Sequence, residues 1–164
     1  MLFLQTPARG TCRRHSSKNE NMGTFISTRG RYAIRVLLDL ADNYGKAKVP
    51  LKDIAERQGI SLKYMESIMP LLVRGGIVSG SHGKGGGYEM IVPPSECMIG
   101  TILRLTEGSV CAVACLETGE VHCERAGQCR TLPMWKKLDE MINGYLDTVS
   151  IQDLMPKSQI IKIE

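Results

Sequence analysis

Two amphipathic runs joined across a single glycine dominate the middle of this chain. Leu51-Lys-Asp-Ile-Ala-Glu-Arg-Gln58 puts Leu51, Ile54 and Ala55 on one face. Leu62–Val73 does the same with Leu62, Met65, Ile68, Met69 and Leu72. Pro50 stands before the first run. Gly59 stands where it must stop, and glycine takes the left-handed C-terminal conformation cheaply. Ser61 can cap the second run with its hydroxyl. A helix, a short turn with Gly and a second helix make the helix-turn-helix arrangement. Pro70 removes the backbone bond to Glu66 and predicts a kink in the last turn of the second helix. The first two turns, where Lys63, Tyr64 and Ser67 point outward, escape that effect.

The flanks fit the same plan. Tyr32, Val36, Leu37, Leu40 and Ala41 recur at helical spacing and predict a helix over Arg29–Asn43, capped by Ser27 or Thr28 and closed by Gly45. Gly75-Gly76 stops the second helix of the motif. Ile77–Ser79 and Tyr88–Val92 read as short strands around Gly80-Ser-His-Gly-Lys-Gly-Gly-Gly87, a basic glycine-rich loop that makes a wing. Pro93-Pro94 marks a boundary, and Ile99–Glu107 reads as a fourth helix with Ile102, Leu103 and Leu105. Pro133–Val149 is the last long helix, with proline at its first turn. Trp135, Leu138, Met141, Ile142, Tyr145, Leu146 and Val149 form a nearly heptad seam there, which can pair with its copy in a second chain. No internal repeat is visible.

The expected fold is mainly α with a small β-wing: a winged helix-turn-helix followed by a long C-terminal dimerisation helix. Residues 1–22 read as a disordered basic extension, or as the product of a start called too early with Met22 as initiator; Cys12 there is incidental. Residues 23–94 are the winged helix-turn-helix, 95–110 a connecting helix, 111–132 a cysteine-rich loop, 133–155 the dimerisation helix and 156–164 a tail.

Charge is distributed unevenly. Residues 23–92 carry ten basic and six acidic groups, whereas residues 93–164 carry seven basic and ten acidic ones. A basic middle suits a polyanion such as double-stranded DNA. No apolar run approaches the roughly 18–20 residues that cross a bilayer. Met1-Leu-Phe-Leu is too short for a signal-peptide apolar region, so the thiols are expected to see a reducing cytoplasm.

That compartment matters because Cys111, Cys115, Cys123 and Cys129 crowd into one aperiodic stretch. Dense thiols without export point to bound metal or redox chemistry ahead of disulfide staples. Seven and five residues intervene between the last three cysteines. Structural zinc sites favour close pairs, and Cys111 with Cys115 is such a pair, so zinc stands second to an iron–sulfur cluster. Cys111, His122 and Glu124 are candidate fourth ligands beside the thiols. Arg125 and Arg130 flank them and can offset thiolate charge. Cys97 reads as structural. The glycine run is no phosphate loop, since no Lys-Ser/Thr follows it. No Ser/His/Asp set or carboxylate pair suggests catalysis, so no enzyme is expected.

Ser27-Thr-Arg-Gly-Arg-Tyr-Ala33, Ile54-Ala-Glu-Arg-Gln-Gly-Ile-Ser61, Tyr64-Met-Glu66, Gly85-Gly-Gly-Tyr88, the cysteine triplet and Trp135 together resemble the IscR/NsrR group of bacterial regulators, the Rrf-two family. The likeness spans about residues 23–155. It implies a homodimer that reads an operator through its winged helix, and iron–sulfur ligation by Cys115, Cys123 and Cys129, with a 2Fe–2S cluster ahead of a 4Fe–4S one. One branch takes a fourth ligand from a His three residues after the last cysteine, where this chain has Leu132. Another uses an Asp before the Tyr-Ala pair of the first helix, where this chain has Arg31.

On DNA, Ser61, Lys63, Tyr64, Glu66 and Ser67 are expected at base edges in the major groove. Arg29, Arg31, Lys52 and Lys84 are expected on phosphates. His82 sits in the wing where similar proteins place an Arg for the minor groove. Two alternatives stand beside this reading: a cluster-free regulator working through thiols or zinc, and an interaction protein docking on a metabolic enzyme.

Overall fold

The computed structural model describes residues 26–81, 83, 85–117, 121 and 123–156. The expectations for residues 1–22, His82, Lys84, His122 and the tail after residue 156 lie outside them. Among the described residues, five helices and a two-stranded antiparallel sheet follow one another: α1 (Thr28–Ala41), α2 (Leu51–Gln58), α3 (Leu62–Arg74), β1 (Val78–Ser81), β2 (Gly87–Met90), α4 (Ile99–Glu107) and α5 (Leu132–Leu146). Short 3-10 turns occupy Ala114–Leu116, Ala126–Gln128 and Gln152–Leu154. No helix of the described residues is long and apolar enough to cross a membrane.

The core assembles from the faces that periodicity marks. Val36, Leu37 and Leu40 of α1, Ile54 of α2, Met65, Ile68, Met69 and Leu72 of α3, and Ile102 and Leu103 of α4 form one buried cluster. Ser27 caps α1 through its side chain. Gly59 ends α2 at φ +62°, and the Ile60 N–H behind it reaches the Ala55 carbonyl at 3.0 Å. Those bonds occupy carbonyls that the helix end would otherwise leave free, and only glycine takes that backbone geometry at little cost. The helix-turn-helix is therefore closed by the residue types expected of it.

α3 runs on through Pro70 to Arg74. Leu62 departs from its expected inward position and is exposed. It is the first residue of α3, and helical side chains lean towards the N-terminus, past the edge of the core.

β1 pairs with β2 in the register Val78↔Met90 to Ser81↔Gly87. Val49, ahead of α2, adds a third segment by exchanging two 2.8 Å backbone bonds with Tyr88. The wing is thus stitched to the start of the helix-turn-helix, with Lys48 bonded to both Glu89 and Ser81.

α5 ends at Leu146, three residues short of the expected Val149. Beyond it the chain turns and forms a bridge, Met98↔Ser150, with Ile99 N–H donating to the Val149 carbonyl at 2.9 Å. Ser150 and Asp153 then cap each other reciprocally: Ser150 Oγ donates to Asp153 Oδ2 at 2.6 Å, and Asp153 N–H donates back to Ser150 Oγ at 3.2 Å. The Ser150 hydroxyl and N–H hold the Asp153 carboxyl below its ordinary value. Ile151, wholly buried, anchors this segment in the core.

Candidate nucleic-acid interface and cysteine segment

The outer face of α3 is built by elimination. Met65, Ile68, Met69 and Leu72 are consumed by the core, so Lys63, Glu66, Ser67 and Pro70 share the opposite, exposed face. Ser61 accepts from the Tyr64 N–H at 3.3 Å, spending one lone pair on the cap, and Ser67 donates to the Tyr64 carbonyl at 2.6 Å. Tyr64 itself is half-buried, its ring edge-on to Tyr32 at 5.6 Å and 82°. Arg35 lies 5.4 Å from the centroid of the Tyr32 ring and also bonds Gln58 at the end of α2. α3 is therefore braced against α1 by an aromatic pair, while Lys63 and Glu66 stay exposed on its outer face.

Basic residues are exposed on the two preceding helices. Arg29 and Arg31 are exposed in the first turn of α1, and Lys52 is exposed at the start of α2. Arg31 Nη2 donates to Thr28 Oγ1 at 3.3 Å, an arrangement that leaves most of the guanidinium available.

The cysteine segment is bonded differently. Cys115 falls in the Ala114–Leu116 turn, Cys123 is exposed, and Cys129 directly follows the Ala126–Gln128 turn. Backbone bonds among its described residues reach only three residues, as in Leu116 to Val113 and Cys129 to Ala126. Among the described residues, no three His, Cys, Asp or Glu side chains converge in a way that could hold a metal ion. The thiols at 115, 123 and 129 are near in sequence, without a preformed cage. Their chemistry nevertheless fits a sulfur-ligated group: Cys111, Cys115, Cys123 and Cys129 are all free thiols with at least partial exposure. The Thr131 hydroxyl, 3.5 Å from Cys129 Sγ, holds that thiol below its ordinary value by bonding to it. Burial pushes the Cys97 thiol the other way, up to about 11, which sets it apart from the segment. Glu124, Arg125 and Arg130 are exposed. Leu132 opens α5 and Arg31 lies in the first turn of α1, so neither position offers a ligand.

α5 separates the expected seam into two faces. Ile142, Leu146 and, beyond the helix, Val149 pack against the core, with Trp135 half-buried. Leu138, Met141 and Tyr145 are exposed, joined by Met134. These four recur at steps of four, three and four residues, a stripe that sequence reasoning mixed with the inward face. A polar row on the same helix was missed altogether. Asp139 Oδ1 accepts the Ala112 N–H at 3.0 Å, and Asn143 Nδ2 donates to the Val110 carbonyl at 2.9 Å. Asp147 pairs with Arg104 of α4. A four-residue spacing of Asp, Asn and Asp was the available signal.

Known proteins supply the remaining context. Residues 26–157 match the family described as "Rrf2: Iron-dependent Transcriptional regulator". The HTH-type transcriptional regulator IscR of Vibrio atlanticus is 35% identical over 138 residues, covering 84% of this chain and 79% of that protein. Its counterpart in Vibrio vulnificus is 36% identical, covering 84% and 81%. Among solved structures, T. potens IscR superposes with a TM-score of 0.65 at 30% identity, covering 87% of this chain and 94% of the other. CymR, the global cysteine regulator of B. subtilis, gives 0.65 at 30% identity, covering 79% and 94%. These relatives are regulators of transcription, not enzymes, and their fold is the winged helix-turn-helix with a long C-terminal helix seen here. On this fold and these likenesses, the chain is a DNA-binding transcriptional regulator belonging to the Rrf2 family.

Proposed function

We propose that this regulator binds its operator as a homodimer and that an iron–sulfur cluster on Cys115, Cys123 and Cys129 sets its affinity. The observation that carries the reading is the presence, beside a winged helix-turn-helix, of four free and at least partly exposed thiols on one segment. The family's iron dependence and the name of its IscR relatives favour the same group. A cluster supplies a redox- and oxygen-sensitive centre whose loss frees the thiols. The chain's own part is to offer three thiolates, with a fourth donor from Cys111, His122 or Glu124, and to convert ligation of those thiols into a change at α1 and α5. Ligation biases a two-state assembly only if the two states hold the ligated group differently. A 2Fe–2S cluster is preferred, since three thiolates and one weaker donor suit a labile sensor.

The dimer reading rests on the exposed stripe of Met134, Leu138, Met141 and Tyr145. An apolar helical stripe with heptad spacing is what a second copy of the same helix covers. Arg29, Arg31, Lys52 and Lys84 would hold phosphates, while Ser61, Lys63, Glu66 and Ser67 would meet bases, with His82 entering from the wing. Tyr64 would act there through its bracing as much as by contact.

A second reading, direct thiol sensing without a cluster, has one observation of its own: the Thr131 hydroxyl favours thiolate at Cys129. Zinc would use the same ligands. Anaerobic purification with analysis for iron, sulfide and zinc separates the three. The cluster reading predicts coloured protein with iron and sulfide near one cluster per chain. Colourless, iron-free protein would leave DNA binding standing and remove the cluster.

A further inference from the structure

Glu107 is the last residue of α4, four residues ahead of Cys111, where the cysteine segment begins. Its carboxylate does not turn to solvent. Glu107 Oε1 accepts from Ser27 Oγ at 2.7 Å and from the Gly30 N–H at 3.1 Å. Both partners belong to the N-terminal turn of α1, which has no acidic residue of its own. The carboxylate thus supplies from 77 residues away the negative charge that a helix N-terminus favours. Gly30 makes room for it: a Cβ at that position would stand 2.5 Å from Glu107 Oε1 and 2.9 Å from Leu103 Cδ2. Any side chain at residue 30 would displace the carboxylate.

The far end of the same stretch is also tied. The Val110 carbonyl and the Ala112 N–H flank Cys111, and Asn143 and Asp139 of α5 hold one each. Asn143 is itself oriented by Arg104, whose Nη1 donates to its Oδ1 at 3.4 Å. Residues 107–112 are therefore a strap bonded to α1 at one end and to α5 at the other. The thiols of the cysteine segment start within it, at Cys111.

We propose that Glu107 is the positioning residue through which this strap sets the first turn of α1, and with it Arg29 and Arg31, while Asp139 and Asn143 register the strap on α5. The proposal rests on the DNA and cluster reading above and gives that reading a route. Ligation at Cys115, Cys123 and Cys129 moves the strap, and the strap moves the two arginines because Glu107 grips the backbone between them at Gly30. Glutamine at position 107 retains an acceptor oxygen for both bonds; alanine retains neither.

The test is a fluorescence-anisotropy titration of the full chain against a duplex from its own upstream region, across roughly 50–200 mM salt, where phosphate contacts are read as the slope of log affinity on log salt. Parent, Glu107→Ala, Glu107→Gln and Gly30→Ala are compared in iron-free, reduced form, with thermal melts alongside. The expected result is a slope shallower by about one to two for Glu107→Ala and Gly30→Ala, with affinity lower several-fold at the lower salt, and a parental slope for Glu107→Gln. If Glu107→Ala keeps the parental slope and affinity, even with a lower melting temperature, Glu107 merely caps a helix and the proposal is overturned. Loss of the wider cluster reading shows elsewhere, as parent protein whose affinity is equal with and without iron and sulfide.

Discussion

Arg57 on α2 grips Asp39 on α1 with two nitrogens, Nη2 to Oδ1 at 2.6 Å and Nε to Oδ2 at 3.0 Å. Gln58 adds a third bond to the same carboxylate at 3.0 Å. The Asp39 side chain is only 5% exposed, whereas Arg57 is 48% exposed. This fork fixes the angle at which the helix-turn-helix leaves α1. The bond to Asp39 is also the main reason the Arg57 guanidinium binds its proton more tightly than usual.

Removing one side of such a pair strands a buried charge. Arg57→Ala is expected to cost about 1–3 kcal/mol, discounted for the arginine's exposure. Adding Asp39→Asn to it should recover part of the loss, because the amide needs no countercharge and Gln58 can still bond its oxygen. Urea denaturation of both variants and the parent checks this; an additive double variant would show that the fork is not coupled.

The exposed faces of α2 and α3 predict a division of labour. Lys52→Ala should weaken binding to all duplexes alike and reduce the salt slope by about one. Glu66→Ala should leave the slope nearly unchanged and relax base preference by about 1–3 kcal/mol at one position. Both sites are exposed, so stability should stay within about 0.5 kcal/mol. Competition titrations with substituted duplexes distinguish the two effects.

On α5, neighbouring residues should behave oppositely. Met141→Glu places a charge in the outer stripe and is expected to leave the fold intact while yielding monomers in sedimentation. Ile142→Glu drives a charge against the core and should lower the melting temperature steeply, since unpaired buried charge costs several kcal/mol. A Met141→Glu protein that remains a dimer would remove the stripe from the interface.

The thiols should separate by burial. The Cys97 thiol, raised from 9.0 to about 11, holds about 100-fold less thiolate at neutral pH than a free cysteine. Iodoacetamide at pH 8 should therefore modify Cys115, Cys123 and Cys129 in the folded iron-free protein and spare Cys97 until denaturant is added. Peptide mass spectrometry reads both, and early modification of Cys97 would contradict its burial.

Much of this architecture was legible in the sequence because its signals are local. Gly59, Ser61 and the spacing of Met65, Ile68, Met69 and Leu72 report on bonds and faces within a few residues of themselves. Leu62 misled because periodicity knows a helix face and not where the core under it ends. Val149 misled because a strand-like bridge to Met98 and a reciprocal Ser150–Asp153 cap replace the last helical turn. In the site, the exposed positions of Lys63, Glu66 and Ser67 followed from the pattern. The grip of Glu107 on Gly30 and of Asp139 on Ala112 did not. Those pairs are separated by 77 and 27 residues, and only the packing of α4 and α5 brings them together. The half-burial of Tyr64 likewise depends on Tyr32, a partner on another helix.

The most direct test compares the parent with a variant in which Cys115, Cys123 and Cys129 are each replaced by Ala. Both would be prepared without oxygen, with and without iron and sulfide, and titrated against the same upstream duplex. The account predicts that the parent gains a visible absorption band and changes its affinity on loading, while the variant stays colourless and binds identically in both conditions. A parent that binds equally well loaded and unloaded, or a variant that still responds, would contradict it.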